Sequence, residues 1–256
     1  MSGKTGKRWL ITGIGALTLL LAVGLILWLV VFRDTTTEVA GEEVGGSTLV
    51  TGGGQPGDFG VYRYATTGYE TTDALTGSRH DYPAETFITI QPGGCGTLVR
   101  WQPLEERWDE WDYCPDGSLA GRRTFHEWFQ IANLDLWACS PPVPTRGEPG
   151  AVLTGTCGRE ETGNAAAAQD SLRFEVIGYE TLTVGAAAVE TLHVRMTGTG
   201  TGGTASTRTY DTWLLPGTYL IVRQTLELTS NTQSRVGLVH AEEQYEISLI
   251  SLQPGS

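Results

Sequence analysis

Twenty-four consecutive residues, Trp9 to Phe32, carry no charge, and nothing else in the chain limits its possible folds as firmly. As an α-helix at 1.5 Å per residue this run would measure ~36 Å, enough to cross a bilayer core of ~30 Å with slight tilt. Trp9 and Trp28 stand near its ends, where indole rings favour the membrane interface. A cleavable signal peptide fits less well, because its apolar region spans only about 7–15 residues and ends at a small-x-small site. Here the run leaves through Val30, Val31, Phe32 and Arg33, and no Cys follows it to accept a lipid. A retained signal anchor is expected. Lys4, Lys7 and Arg8 against the lone Arg33 keep the amino terminus in the cytoplasm. The expected layout is a cytoplasmic tail over residues 1–8, a single transmembrane helix over 9–32, a flexible acidic linker over 33–57 and an extracytoplasmic β domain over 58–256. The tail is too short to bind a cytosolic partner specifically. Small residues such as Thr12 with Ala16 recur too commonly in apolar helices to mark a helix pair.

The formal net charge is −12 and is unevenly placed. Residues 1–33 hold four basic side chains and no acid, and beyond Lys7 the chain has no lysine. Nucleic acid is excluded as an expected partner, since affinity for phosphate rests on Lys and Arg, and an anionic lipid surface is disfavoured for the same reason. The segment 34–57 combines Thr, Gly and acids with almost no bulky apolar side chains. Such a composition buries too little surface to offset backbone ordering, which is why a tether is expected.

Beyond Asp58 the pattern is β. Around Leu192 one face reads Ala188, Glu190, Leu192, Val194 and Met196, and the other Val189, Thr191, His193, Arg195 and Thr197. Leu226 and Leu228 alternate with Thr225 and Glu227, and Val239, Ala241, Tyr245, Ile247 and Leu249 form one face of the last strand. Period-two alternation over so many segments predicts one curved antiparallel sheet or open barrel with a buried face. Gly198–Gly203 and Pro216-Gly217 supply turns. The stretch RRTFHEWFQIANL fits strand or short helix, and its strand neighbours favour strand.

Cys95, Cys114, Cys139 and Cys157 all fall on the exported side, where disulfides persist. Pairing Trp101 with Trp108, Arg100 with Asp109 and Leu98 with Trp111 brings Cys95 opposite Cys114, so that bridge is expected, and Cys139–Cys157 with it. No spacing typical of a zinc site occurs, and neither a metal nor a cofactor is expected.

Catalytic motifs are absent: there is no GxSxG, HExxH or phosphate loop, and no exported lysine for a Schiff base. TGTGTGGT (197–204) lacks the strand-to-helix context of a dinucleotide loop and reads as a hairpin. His80 stands beside Asp81, but strand neighbours point apart. Glu243 falls on the apolar face of the last strand, and a buried carboxylate needs a partner or a raised pKa. Arg195 and Arg223 are its candidate partners, and a bulge turning it outward is the alternative. The acid-aromatic segment LEERWDEWDYC places Trp101, Trp108, Trp111 and Tyr113 among carboxylates; with Glu243 these are the candidate ligand-binding residues, and half-buried strand packing is the competing reading. No catalytic residue is assigned.

The order of anchor, GVYRYATTGYE, Cys-bridged Trp-rich hairpin, YETLTVGAAAVETLHVRM, Gly loop, TYDTWLLPGTYLIVRQTLEL and a final long strand resembles uncharacterised signal-anchored envelope proteins of Actinobacteria. Over residues 172–229 the chain is similar to bacterial envelope β-domains of the LolA and LppX-like kind. That resemblance implies a sheet curved around a helix and an enclosed apolar ligand. A non-enzymatic single-pass envelope protein that binds an apolar small molecule or another envelope protein is therefore expected. An envelope enzyme acting on glycan or lipid, with Glu243, Asp81 and the histidines as candidates, and a structural subunit of a membrane complex are the alternatives.

Overall fold

The computed structural model describes residues 21–23, 33–40, 55–160, 166–234 and 237–255. Leu21–Val23 are helical, and the rest of the expected anchor lies outside the described residues. Among the described residues no helix is long and apolar enough to cross a membrane. Among the described residues, Gly60 to Leu249 form strands joined by turns and short loops.

Thirteen strands follow in order: β1 (Gly60–Thr72), β2 (Ser78–Asp81), β3 (Glu85–Pro92), β4 (Thr97–Leu104), β5 (Arg107–Tyr113), β6 (Leu119–Trp128), β7 (Ile131–Val143), β8 (Val152–Arg159), β9 (Ala168–Val184), β10 (Ala187–Gly202), β11 (Thr204–Leu214), β12 (Ile221–Ser234) and β13 (Gly237–Leu249). They form one antiparallel sheet in which, from β3 onward, each strand pairs with the next in sequence. β1 pairs with β3 and β2 along one side and with β13 along the other, so the sheet closes on itself. The expected single antiparallel sheet is present, and the β1–β13 pairing covers the long edges those two strands would otherwise offer to other chains.

Alternation explains the inside and the outside. On β13, Glu243, Tyr245, Ile247 and Leu249 are buried, as the sequence pattern indicates. On β10 the alternation slips at a bulge between His193 and Val194. Val189 and Thr191 are therefore buried before it and Val194 after it, which corrects the two continuous faces expected there. RRTFHEWFQIANL forms the end of β6, a two-residue turn at Phe129-Gln130 and the start of β7.

The β4–β5 hairpin also departs from expectation. Val99 faces Trp111, Arg100 faces Glu110 and Trp101 faces Asp109, one residue away from the expected register. The connection is the two-residue turn Glu105-Glu106 after an irregularity between Trp101 and Leu104. A slip of one residue exchanges faces: Trp101 goes to the interior and Trp108 lies outside, stacked on Phe125 with the Arg100 guanidinium over its ring. Both expected disulfides, Cys95–Cys114 and Cys139–Cys157, are present. The second joins strands whose register spans only two residue pairs, so it holds the ring covalently where hydrogen bonding is thinnest.

Two halves of the interior differ. Toward the end where β1 begins, Tyr62, Ile88, Val99, Trp101, Val194, Ile221 and Ile247 fill the space. Toward the other end, where β1 finishes and the β4–β5, β6–β7 and β12–β13 turns gather, the interior is charged and hollow.

Closure of the ring depends on Gly68, which has φ of 149° opposite Tyr245. A Cβ there would overlap the Gln244 carbonyl and the Tyr245 backbone, neither of which can yield. Gly68→Ala is expected to cost about 1–3 kcal/mol. Denaturant unfolding checks this, and stability equal to the parent would show that the seam tolerates displacement.

Candidate functional site

The hollow end opens to solvent as a cavity of about 520 Å³. Every second residue of the surrounding strands contributes to it: Glu70 and Thr72 from β1, Arg107 and Asp109 from β5, Arg122, Thr124 and His126 from β6, and Arg208 and Tyr210 from β11. Leu75, Phe129, Ile131 and Val239 surround the mouth, whereas Arg107, Asp109, Arg122, Arg208 and Glu243 lie deeper. Arg122, Trp137, Arg208 and Tyr210 also border a second cavity of about 70 Å³, set in the apolar half below.

Arg107 organises one wall. Its side chain is buried, and its Nη2 donates to Asp109 Oδ2 at 2.8 Å and to both Glu243 oxygens at 3.0 Å. Its Nε lies 3.5 Å from Glu70 Oε2. Tyr82 donates its hydroxyl to Glu243 Oε1 at 2.7 Å. Burial pushes the Glu243 carboxyl up, and Arg107 only partly offsets this. Burial also acts on Asp109, but Arg107 and Arg122 outweigh it and bring that group down to about 2. Thus one guanidinium serves three carboxylates whose protons are held very differently.

Glu70 links this wall to two histidines. Its Oε1 is 2.9 Å from His80 Nδ1 and its Oε2 is 2.8 Å from His126 Nδ1. Burial opposes the Glu70 charge, yet His126, His80 and Arg107 together bring it to about 2. His80 Nε2 meets Asp34 Oδ2 at 2.9 Å, and the His80 ring stacks on Trp128 at 3.8 Å. With a carboxylate on each nitrogen, both must carry protons to donate. Burial disfavours that cation, but Glu70 and Asp34 prevail and raise the His80 pKa. Asp34 also accepts from Phe129 N at 2.9 Å through its other oxygen.

The opposite wall is basic. Arg208 pairs with Asp170, and Arg159 Nη1 reaches Asp135 at 2.7 Å. Arg122 stands between the two cavities with its guanidinium 5.8 Å from the Trp137 ring centre. Among the described residues it makes no ion pair within 4.0 Å and no hydrogen bond. Burial works against its charge, and Tyr210, Asp109 and Asp170 hold it protonated nonetheless. A half-buried guanidinium with unoccupied donors can take a carboxylate, phosphate or sulfonate. Among the described residues no three His, Cys, Asp or Glu side chains are placed to hold a metal ion.

The candidate residues read from sequence are dispersed. Glu243 lines the large cavity, but its cation is Arg107; Arg195 pairs with Asp211 and Arg223 with Glu246, both on outward-facing positions, which corrects the expected partners. Trp111 and Tyr113 border the small cavity. Trp101 is enclosed between Tyr82 and Tyr245 and donates to Thr86 Oγ1 at 3.0 Å. Trp108 is outside, so the four aromatics do not form one binding platform. Asp81 turns outward to Arg79 while His80 turns inward, so these two neighbours do not pair with each other. Arg107, Arg122, Glu70 and Asp34 were not singled out from sequence. The only available signal was the placement of Glu70, Arg107 and Arg122 within strand-like segments.

No family model matches the chain, and no curated protein matches it. Among solved structures it is similar to the hypothetical lipoprotein YmcC of Escherichia coli (K12), with 14% identity over 70% of this chain and 83% of that one and a TM-score of 0.34.

Two outcomes follow from the charged wall. Arg107→Met leaves three buried carboxylates without their shared cation and is expected to cost about 3–5 kcal/mol, whereas Glu243→Gln, which removes a charge already disfavoured, should cost less than half of that. Urea unfolding of both variants checks the order. The His80 contribution has the sign of a raised pKa: it is complete below the unfolded value of about 6.5 and is lost as pH rises through the higher folded value. The melting temperature of the parent should therefore fall more steeply above about pH 6.5 than that of His80→Gln. Parallel slopes would show that the imidazolium contributes nothing.

Proposed function

We propose that the protein is a membrane-anchored, extracytoplasmic binding protein of the cell envelope whose closed sheet receives an amphiphilic ligand. The carrying observation is the cavity itself. Its volume of about 520 Å³ lies within the range of small-molecule sites. Its mouth is apolar at Leu75, Phe129, Ile131 and Val239, and its depth presents the unpaired Arg122. A purely apolar ligand would desolvate that guanidinium without replacing its water, so the ligand enters polar end first. The uncharged run 9–32 supports the membrane reading.

An enzymatic reading has less support. The carboxylates Glu70, Asp109 and Glu243 on the wall are each committed to Arg107, Tyr82 or a histidine, an arrangement that stabilises a charged interior.

The probe is 1-anilinonaphthalene-8-sulfonate, an aromatic amphiphile with one anionic end. The full chain in detergent is expected to bind it saturably at one site. Ser230→Trp, which fills the cavity from β12, should abolish the signal. Arg122→Met should weaken binding by about tenfold, equivalent to ~1.4 kcal/mol. Signal unaltered by either substitution would locate the dye elsewhere and overturn the proposal.

A further inference from the structure

We propose that the open end of the sheet is a bilayer-docking face: the mouth of the cavity is held against the outer surface of the membrane in which the chain is anchored, with its hairpin tips in the lipid. The proposal rests on the anchored reading above and adds to it an orientation and a lipid partner.

Three of the hairpin tips around the mouth carry an exposed apolar side chain. Leu75 in the β1–β2 turn is 45% exposed, Ile131 after the β6–β7 turn 56% and Leu238 after the β12–β13 turn 61%. Leu134 and Leu136 extend this surface along the outside of β7. From Trp128 to Leu134 there is no charge, and none from Met196 to Ser206 across the neighbouring β10–β11 tip. Two of the acids at this end are turned to the protein: Asp73 accepts from His240 N at 2.6 Å and Glu106 from Thr37 N at 2.9 Å. Apolar side chains at three tips on one end of a closed sheet are expensive in water and suited to an interface with acyl chains.

Two of these tips are also strained. Leu75, Phe129 and Gln130 have φ of 55°, 53° and 62°, and they are the non-glycine residues with positive φ among those described. Such conformations persist where surrounding contacts impose them. At the β6–β7 tip the contact is Asp34, which accepts from Phe129 N and, through its other oxygen, from His80.

Asp34 supplies the independent argument for what lies opposite the mouth. It is the second residue after the uncharged run that ends at Phe32. The chain continues along the same rim, with Glu105 N donating to Thr37 O at 3.0 Å and Glu38 bridging to Leu104. A chain leaving a bilayer at residue 33 and fixed to the mouth at residue 34 has only ~3.8 Å of backbone between the two points. The mouth must then lie at the membrane surface, and a ligand of the kind proposed above passes between lipid and cavity without crossing water.

The test uses the full chain in phosphatidylcholine vesicles. The described cysteines are all bonded, so one introduced cysteine takes a nitroxide label. Labels at Leu75→Cys, Ile131→Cys and Leu238→Cys are expected to relax more with oxygen than with a water-soluble nickel chelate. A label at Phe59→Cys, 45% exposed and about 40 Å away along β1, should show the reverse. Asp34→Ala should reduce the difference between the two ends. Alkaline extraction of the same vesicles separates two failures. Water-exposed tips in protein that stays with the lipid overturn the docking face and leave the anchor standing. Protein released from the lipid overturns both. Tip immersion unchanged by Asp34→Ala overturns the clamp.

Discussion

The Arg107 guanidinium lies inside a sheet whose ring must be closed between β1 and β13, and it touches carboxylates on both of those strands. Glu70 comes from β1, Glu243 from β13 and Asp109 from its own strand β5. Antiparallel hydrogen bonds join neighbouring strands only. Arg107 instead joins elements across the lumen, and with one cation for three acids it sets how much negative charge the interior can hold. The histidines add their donors to Glu70, and Tyr82 adds a further hydrogen bond to Glu243 Oε1. Without that cation the acidic wall of the cavity would hold three buried carboxylates with no shared partner.

The division of the interior into a packed half and a charged half follows from where each strand changes character. β13 shows it within one strand: Ala241 and Glu243 face the cavity, whereas Tyr245, Ile247 and Leu249 face the core. β11 repeats it, with Thr204, Ser206 and Arg208 leading to Tyr210, and β12 in the reverse direction from Leu226 to Ser234. Such strands read as ordinary alternation along their length. The switch lies in the chemistry of the inward residues, not in their period.

This explains what was legible in the sequence and what was not. Period-two alternation conveys strand existence and face, and Glu243 stood out because a carboxylate interrupted an apolar face. Its partner was not legible, since Arg107 adjoins a turn and the two are joined by closure of the ring across 136 residues. The β4–β5 register was misjudged because pairs of favourable side chains suit two adjacent registers almost equally. The two-residue turn and the inward demand of Arg107 and Asp109 decide between them. The Cys95–Cys114 bridge was found nonetheless because slack beyond the strand ends at Gly93–Gly96 lets Cys95 reach Cys114 in either register. The bulge at His193 leaves no periodic mark before it occurs.

The stretch after the anchor shows the limit of composition most clearly. Residues 33–57 contain too little apolar surface to form a core; yet Asp34, Thr37 and Glu38 are bound to the mouth, and Gly57 N donates to the Tyr62 hydroxyl at the opposite end. Composition predicts whether a segment can fold alone and is silent about single polar contacts to a preformed surface. A carboxylate needs only two donors in reach to be fixed, and here a buried imidazole and a strained turn supply them. The fourteen residues 41–54 can extend by at most ~50 Å, against about 40 Å for β1, so the linker has just the reach to carry the chain from the mouth to the start of the sheet. Shortening that stretch by more than a few residues would therefore set the Asp34 contacts against the first strand of the ring.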